Sequence, residues 1–169
     1  MRQPIRCLAG LAVGLLLVAA PLAAQEEMSA ETMREVVGED LVWTELELPG
    51  FLPGLQLAPV HGDPSADGEA YVVRLRFPDG YRFPPHWHPR AENVTVLEGS
   101  FQLAMGEAFD EAALNTYSPG DYLFIAGENP HFGQVSGVTV LQLHGMGPFA
   151  INVVEGQEMG EETDEGMEE

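Results

Sequence analysis

The sequence predicts an all-β protein built as an antiparallel sandwich or barrel. Short apolar runs with the alternation of half-buried strands recur along the chain, and turn-forming residues separate them. These runs do not alternate with helical patterns, which excludes a βαβ architecture. The sequence contains no internal repeat, which favours a single barrel over a tandem one. With 169 residues and 45% hydrophobic composition the chain can bury one core, so we expect one domain.

The N-terminus has the pattern of a signal peptide. Arg2 and Arg6 precede an apolar run at residues 8–20, which is short for a bilayer span, and small residues follow it. We therefore predict a signal peptide at residues 1–24 and a periplasmic or secreted protein that contacts no membrane after cleavage. An uncleaved membrane anchor is the alternative. Cleavage removes Cys7, the only cysteine, so the mature chain can form no disulfide.

Three segments follow the signal peptide. Residues 25–38 are predicted to form a linker with a short N-terminal helix at residues 30–37, because Ser29 is a suitable helix cap. Residues 39–154 contain the strand patterns and form the predicted barrel domain. Residues 155–169 are strongly acidic with few apolar side chains, so they predict a disordered tail.

The strands are placed by their apolar patterns and by the turns between them. A hairpin is expected around Gly99, and one helical turn at residues 110–114. Apolar runs predict further strands at residues 42–48, 55–60, 71–77, 122–125, 138–144 and 149–154, and the two hairpin strands at 94–96 and 101–105.

The charge balance limits the kinds of partner. The chain has 27 acidic and 7 basic residues and a formal net charge of −20. Such a chain repels phosphate backbones and anionic lipid surfaces, so we expect neither nucleic-acid binding nor docking on membranes. A small-molecule substrate or ligand is the expected partner.

One segment carries most of the functional information. From Gly80 to Gly99 the spacing is G-x5-H-x-H-x3-E-x6-G, which places His86, His88 and Glu92 close together. Residues two apart on a strand point the same way, with Cα atoms roughly 6.6 Å apart, so both imidazoles can reach one ion. Mixed nitrogen and carboxylate donors suit Fe, Mn, Ni, Cu or Zn. The alternative is two surface histidines on an edge strand beside a solvated carboxylate.

This segment resembles the first motif of the cupin superfamily. The second cupin motif, G-x5-P-x-G-x2-H-x3-N, is matched by Gly120 and His131, whereas Ala126, Glu128 and Val135 replace its proline, glycine and asparagine. The resemblance implies a single cupin domain, an antiparallel double-stranded β-barrel of jelly-roll type. It also implies that His131 is a third nitrogen ligand.

The resemblance implies three classes of function. The first is a small-molecule oxidoreductase similar to the quercetin-cleaving dioxygenases, in which His86, His88, His131 and Glu92 hold one divalent metal. Fe or Mn is favoured over Ni, Cu or Zn, and Glu92 is also the catalytic proton shuttle. The second is a non-catalytic module that binds metal or a small molecule, and the third is a non-redox isomerase or lyase. A homodimer paired through residues 42–48 is also expected.

Other polar and aromatic residues are candidates for the same site. His144 is interpreted either as a hydrogen-bonding or proton-transfer group near the metal or as a polar strand-end residue. His61 is predicted to be a loop residue, and strand parity places Asn93 on the face opposite to Glu92. Candidate lining residues of the pocket are Phe83, Phe101, Met105, Tyr122 and Phe132.

Overall fold

The computed structural model describes residues 33–159 of the chain. The predicted signal peptide, the first three residues of the predicted helix and residues 160–169 of the predicted tail lie outside the described residues. Within 33–159 no helix is long and apolar enough to cross a bilayer. Export and cleavage therefore stay predictions from the sequence.

Strands make up nearly all of the regular structure between residues 33 and 159, and every pairing between them is antiparallel. Two single 3₁₀ turns, Gly38–Asp40 and Glu111–Ala113, are the only helical elements in this part of the chain. The all-β, antiparallel prediction is confirmed. The strands are β1 (Thr44–Glu45), β2 (Gln56–His61), β3 (Ala70–Phe77), β4 (Arg82–Trp87), β5 (Glu92–Met105), β6 (Asn115–Tyr117), β7 (Tyr122–Ile125), β8 (His131–Met146) and β9 (Asn152–Val153).

Two long strands, β5 and β8, hold the barrel together. They pair with each other along almost their whole length, from Asn93 opposite His144 to Met105 opposite His131. The first half of β8 also pairs with β4 and its second half with β3, while β5 pairs with β6 and β7. Since each long strand has neighbours on both sides, the sheet curls round one core, as in the predicted double-stranded barrel.

The hairpin predicted around Gly99 is wrong. Residues 94–96 and 101–105 belong to the same strand, β5, and the register with β8 shifts on either side of Glu98. Gly99 has φ +80, and a Cβ there would lie 2.6 Å from the Val138 carbonyl oxygen, so a side chain would collide with β8. The glycine is a bulge that bends one strand rather than a turn that reverses it.

The core lies inside the curled sheet and is built from alternate residues of the strands. Tyr71, Val73, Leu75 and Phe77 all face inward from β3, as their spacing predicts. Outward-facing positions of the same strand carry arginine, and Arg76 stacks on the ring of Trp43. This parity decides which side chains reach the interior and which remain on the outer surface.

The ends of the described chain differ from the predictions. Over residues 33–37 the predicted helix is not formed, because Met33, Val36 and Val37 are exposed and no apolar face is buried that would stabilise so short a helix. Strand β1 is two residues long rather than the predicted seven, and pairing of two copies through this edge stays a prediction. At the start of the acidic tail, the Met159 N–H donates to the Gly50 carbonyl.

Candidate metal centre

Three strands deliver the predicted ligands to one end of the barrel interior. His86 lies on β4, His88 directly follows it, Glu92 begins β5 and His131 begins β8. The antiparallel register pairs His86 with His131 across β4 and β8, which brings together residues 45 positions apart. All four side chains are buried, with relative exposures of 2% to 6%. The alternative of surface histidines on an edge strand is therefore excluded.

Backbone carbonyls fix the tautomer of each histidine. The Nδ1 atoms of His86, His88 and His131 lie 2.8, 2.8 and 3.0 Å from the carbonyl oxygens of Pro84, Ala150 and Asn129. A carbonyl oxygen can only accept a hydrogen bond, so each Nδ1 carries the proton. In each neutral ring Nε2 is therefore unprotonated and has a free lone pair. This is the protonation pattern of imidazoles that bind a metal through Nε2, with the other nitrogen oriented by an acceptor.

The donor atoms converge on one point. One ring nitrogen from each of His86, His88 and His131 lies within 4.8 Å of the others, and the ring centroids are 4.4 to 5.3 Å apart. The Glu92 Oε2 atom lies 3.5 Å from Nε2 of His88 and 3.7 Å from Nε2 of His131. The three histidine nitrogens are close enough to share one ion, and Glu92 lies beside two of them but outside that group of three.

Burial sets the charge state of these groups. Desolvation lowers the pKa of His86 well below its usual value, lowers that of His88 to about 4, and lowers that of His131. Desolvation also raises the pKa of Glu92 to about 8. The metal-free site therefore keeps its imidazoles neutral and available for coordination at physiological pH. It also disfavours the Glu92 carboxylate unless a cation is bound beside it.

Among the four site residues, one buried atom has no hydrogen-bond partner. Nε2 of His88 is shielded from solvent and makes no hydrogen bond within residues 33–159. The lone pair of His88 Nε2 is buried without a donor and lies near the Glu92 Oε2 atom. Both the missing hydrogen bond and the repulsion between the two electron-rich atoms are unfavourable. A cation bound between these atoms would remove both unfavourable contributions. The residues present therefore fit a bound metal ion.

Apolar side chains surround the donors. The cavity offers about 40 Å³ to the centre of a water-sized sphere, and Phe83 and Phe101 line it as predicted. Met105 and Tyr122 are instead more than half exposed, and Phe132 packs against Phe109 away from the donors. Those three predicted lining residues are wrong because the parity of β5, β7 and β8 directs their side chains elsewhere.

Sequence reasoning missed the residues that close the cavity at the metal end. Phe149 stacks on His88 with ring centroids 4.9 Å apart, and Phe51 meets the edge of His86 at 5.3 Å. Ile151 completes this wall. These residues lie in turns that precede β2 and β9, where no strand parity exists, and only their apolar character next to Gly and Pro marked them.

The remaining polar predictions separate clearly. His144 faces outward near the end of β8, next to the inward-facing Leu143, and it lies outside the histidine cluster. Its assignment to the metal site is wrong, and the alternative of a polar strand-end residue holds. Asn93 faces away from the site as predicted, and its Nδ2 donates to the carbonyl of His144. His61 is exposed at the end of β2.

The loop before His131 explains how the degenerate second motif still works. Glu128 replaces the motif's glycine and adopts φ +61, the left-handed conformation that glycine favours. Its N–H donates to the His88 carbonyl at 2.7 Å, which ties the loop to the segment that carries the first two ligands. Gly127 has a different task, because a Cβ there would lie 2.8 Å from the Pro89 carbonyl oxygen.

Comparison with known proteins agrees with this architecture. The family described as the ChrR cupin-like domain matches residues 38–150, which contain all four site residues. No curated protein matches the chain.

Solved structures give the same fold. The chain is similar to the polyketide cyclase RemF from Streptomyces resistomycificus, with a TM-score of 0.60 and 23% identity over 72% of this chain and 85% of that chain. It is also similar to a candidate acetylacetone dioxygenase from Methylibium petroleiphilum PM1, with a TM-score of 0.56 and 15% identity over 79% and 90% of the two chains. A third similar structure is KdgF from Halomonas sp., with a TM-score of 0.51 and 22% identity over 67% and 93%. Identities this low establish the fold and not the reaction. The match of the family model to residues 38–150 shows that the chain, which has the fold of these structures, belongs to the ChrR cupin-like domain family of the cupin superfamily.

Proposed function

We propose that this protein is a metal-dependent cupin enzyme that acts on a small molecule. His86, His88, His131 and Glu92 would hold one divalent transition metal, with Fe or Mn preferred over Ni, Cu or Zn. The observation that carries the proposal is the convergence of three unprotonated Nε2 atoms and a buried carboxylate in one apolar cavity. A structural role for these residues would not need an unpartnered lone pair on His88.

Dioxygenase-like oxidation is the reaction that we propose first. A bound Fe or Mn ion would supply Lewis acidity and redox chemistry at these residues. Glu92 would accept the proton of an enolic or phenolic substrate, since burial moves its pKa into the physiological range. The described lining residues include no Lys or Arg, so the walls favour a substrate with a compact apolar body over a polyanion.

A non-redox isomerase, lyase or cyclase is the second candidate. The buried Glu92 carboxyl, whose pKa is raised to about 8, could exchange a proton with a carbon acid without any oxidant. The two candidates use the same residues and differ in whether dioxygen is consumed. A module that binds a ligand without turnover is the third outcome of the test.

We expect His86→Ala, His88→Ala and His131→Ala each to lower metal occupancy at least tenfold, because each removes one of four donors. His61→Ala is the matched control, since His61 is exposed and lies outside the cluster. Occupancy is measured by elemental analysis after equilibration with one equivalent of Fe(II), Mn(II), Co(II) or Zn(II). Equal occupancy in all four variants would contradict the proposed site. Because the sequence predicts export, the native metal is best measured in protein recovered from the periplasm or the medium.

Turnover is tested on protein loaded anaerobically with Fe(II) or Mn(II). The panel contains flavonols, catechols and small diketones, and both oxygen uptake and product formation are recorded. Oxygen uptake that is lost in His88→Ala supports the dioxygenase-like proposal. Substrate conversion without oxygen uptake supports the non-redox candidate. Ligand binding without either favours the binding module.

A further inference from the structure

The metal cavity is too small to contain a substrate of more than a few atoms. It offers about 40 Å³ to the centre of a water-sized sphere. One water needs roughly 10–15 Å³ by the same measure, so an ion and two or three water-sized ligands fill the space. A larger molecule that reaches the donors must extend out of the cavity.

A second and larger pocket lies beside this cavity. It has a volume of about 350 Å³ and is lined by the loop that carries Leu48 and Phe51 and by the segment from Ile151 to Val153, together with Glu158. Two residues, Phe51 and Ile151, line both this outer pocket and the metal cavity. They form a partition between the two spaces.

Phe51 is placed to act as the movable part of this partition. Its ring meets the edge of the His86 ring at 5.3 Å and is only partly buried. Ile151, by contrast, directly precedes β9, which pairs with β4 next to His86. Phe51 lies outside any strand, in a tight turn in which its N–H donates to the Leu48 carbonyl, and its ring packs at the margin of the core.

The turn at residues 48–51 also lines the outer pocket. Gly50 has φ +80, and its carbonyl accepts from the Met159 N–H at 2.8 Å. A Cβ on Gly50 would lie 3.2 Å from the Glu158 side chain and 3.3 Å from Val153. The backbone before Phe51 is therefore fixed against the C-terminal segment, while its side chain can turn about χ1.

We propose that Phe51 is the gate between the outer pocket and the metal cavity and that it determines the size of the molecules that reach the donors. This inference rests on the proposed function, since the molecules admitted would be the substrates of the metal site, but access to the cavity can be measured in the metal-free protein. With Phe51 in its observed position, only ligands of a few atoms pass. Bulkier substrates require its ring to swing into the outer pocket, where their own apolar body then sits.

The first test uses diethylpyrocarbonate on the full metal-free chain, with peptide mass spectrometry of each histidine. The reagent acylates neutral imidazole nitrogen, so the reaction at His86, His88 and His131 reports entry into the cavity. The exposed His61 is an internal reference. We expect Phe51→Ala to raise the rate at the site histidines at least fivefold relative to His61, and Phe51→Trp to lower it.

Matched variants separate a gate from a loosened barrel. Leu48 lines the outer pocket but not the metal cavity, and Phe77 is a core residue that lines the metal cavity but not the outer pocket. Neither Leu48→Ala nor Phe77→Leu should therefore change the normalised rate more than twofold. Phe51→Leu is the direct counterpart of Phe77→Leu and should raise the rate. If Phe77→Leu accelerates acylation as much as Phe51→Leu does, or if Phe51→Ala leaves the rate within twofold of wild type, the gate is excluded.

A second readout uses the Co(II)-loaded chain and the perturbation of its visible spectrum by imidazole and by 4-phenylimidazole. We expect Phe51→Ala to speed the association of 4-phenylimidazole at least tenfold and that of imidazole less than threefold. Equal effects on both probes would contradict size selection. Failure of the protein to bind Co(II) would contradict the proposed function alone, since the acylation rates still decide the gate.

Discussion

Glu92 is an ionisable side chain in surroundings that disfavour its charge. It is 5% exposed, its nearest polar neighbours are the lone-pair nitrogens of His88 and His131, and desolvation raises its pKa to about 8. A carboxylate placed here stabilises the fold only when a cation is bound beside it. Glu92 thus lowers the stability of the metal-free protein and would act as a ligand in the metal-bound protein.

Replacing Glu92 with Gln should stabilise the metal-free protein in a pH-dependent way. The folded pKa is raised from 4.5 to about 8, so wild type and variant should be alike below pH 4.5. As pH rises from 4.5 to 8, wild type must lose a proton on unfolding, and the difference should grow to on the order of 4 kcal/mol in favour of Glu92→Gln.

The measurement is urea unfolding of both proteins in EDTA at pH 5, 6.5 and 8. Protonation of the histidines affects both proteins alike and cancels in the difference. With saturating Mn(II) the order should reverse, because Gln is the weaker ligand. A pH-independent difference would show that Glu92 is already ionised in the metal-free fold.

At the scale of elements, the ligands depend on how strand ends are connected. His88 follows β4, Glu92 begins β5 and His131 begins β8, so each lies where a strand meets a loop. The Glu128 N–H bond to the His88 carbonyl joins two of these loops. The first cupin motif is intact and its ligands follow from spacing. The second motif has lost its glycine, and the fold tolerates this because a glutamate takes the left-handed backbone.

Glu128→Gly should stabilise the protein by about 0.5–1 kcal/mol. The left-handed conformation costs a side chain with a Cβ roughly 1–2 kcal/mol, and the greater unfolded-state entropy of glycine offsets part of that gain. Ala126→Gly in the same exposed loop is the matched control and should destabilise by a similar amount, since position 126 has no positive φ. The midpoints of urea unfolding of the two metal-free variants, each relative to wild type, measure these changes in stability. A loss of stability in Glu128→Gly would contradict the proposal that the backbone at Glu128 is strained.

At the scale of the whole molecule, a bound ion would cross-link the barrel. The four donors come from the ends of β4, β5 and β8, and β8 pairs with both of the other strands. No such site exists in the unfolded chain, so the binding free energy of the metal adds to the folding free energy.

Metal removal should therefore lower global stability. At a free metal concentration 100 times the Kd, the loaded protein should be about 2.7 kcal/mol more stable than the protein in EDTA. Thermal and urea unfolding with Zn(II) or Mn(II) measure this difference. The increment should fall to about half or less in His88→Ala and stay unchanged in His61→Ala. An unchanged increment in His88→Ala would place the stabilising ion elsewhere.

The local sequence determined the strands β2, β3 and β7, the antiparallel all-β class and the grouping of His86, His88 and Glu92, because period-two alternation and the H-x-H-x3-E spacing are local properties of the chain. It misread Gly99, since a glycine between two apolar alternations is compatible with a hairpin turn or with a bulge. Only pairing with β8 decides which one forms.

Tertiary structure alone decided the rest. It placed His131 opposite His86, turned His144 outward and brought Phe51 and Phe149 over the site, because these depend on register and on turns distant in sequence. It also set the protonation of the site, since the pKa shifts arise from burial that no single segment produces. The amino-acid sequence determines which side chains are available to the site, and closure of the barrel determines which of them come into contact.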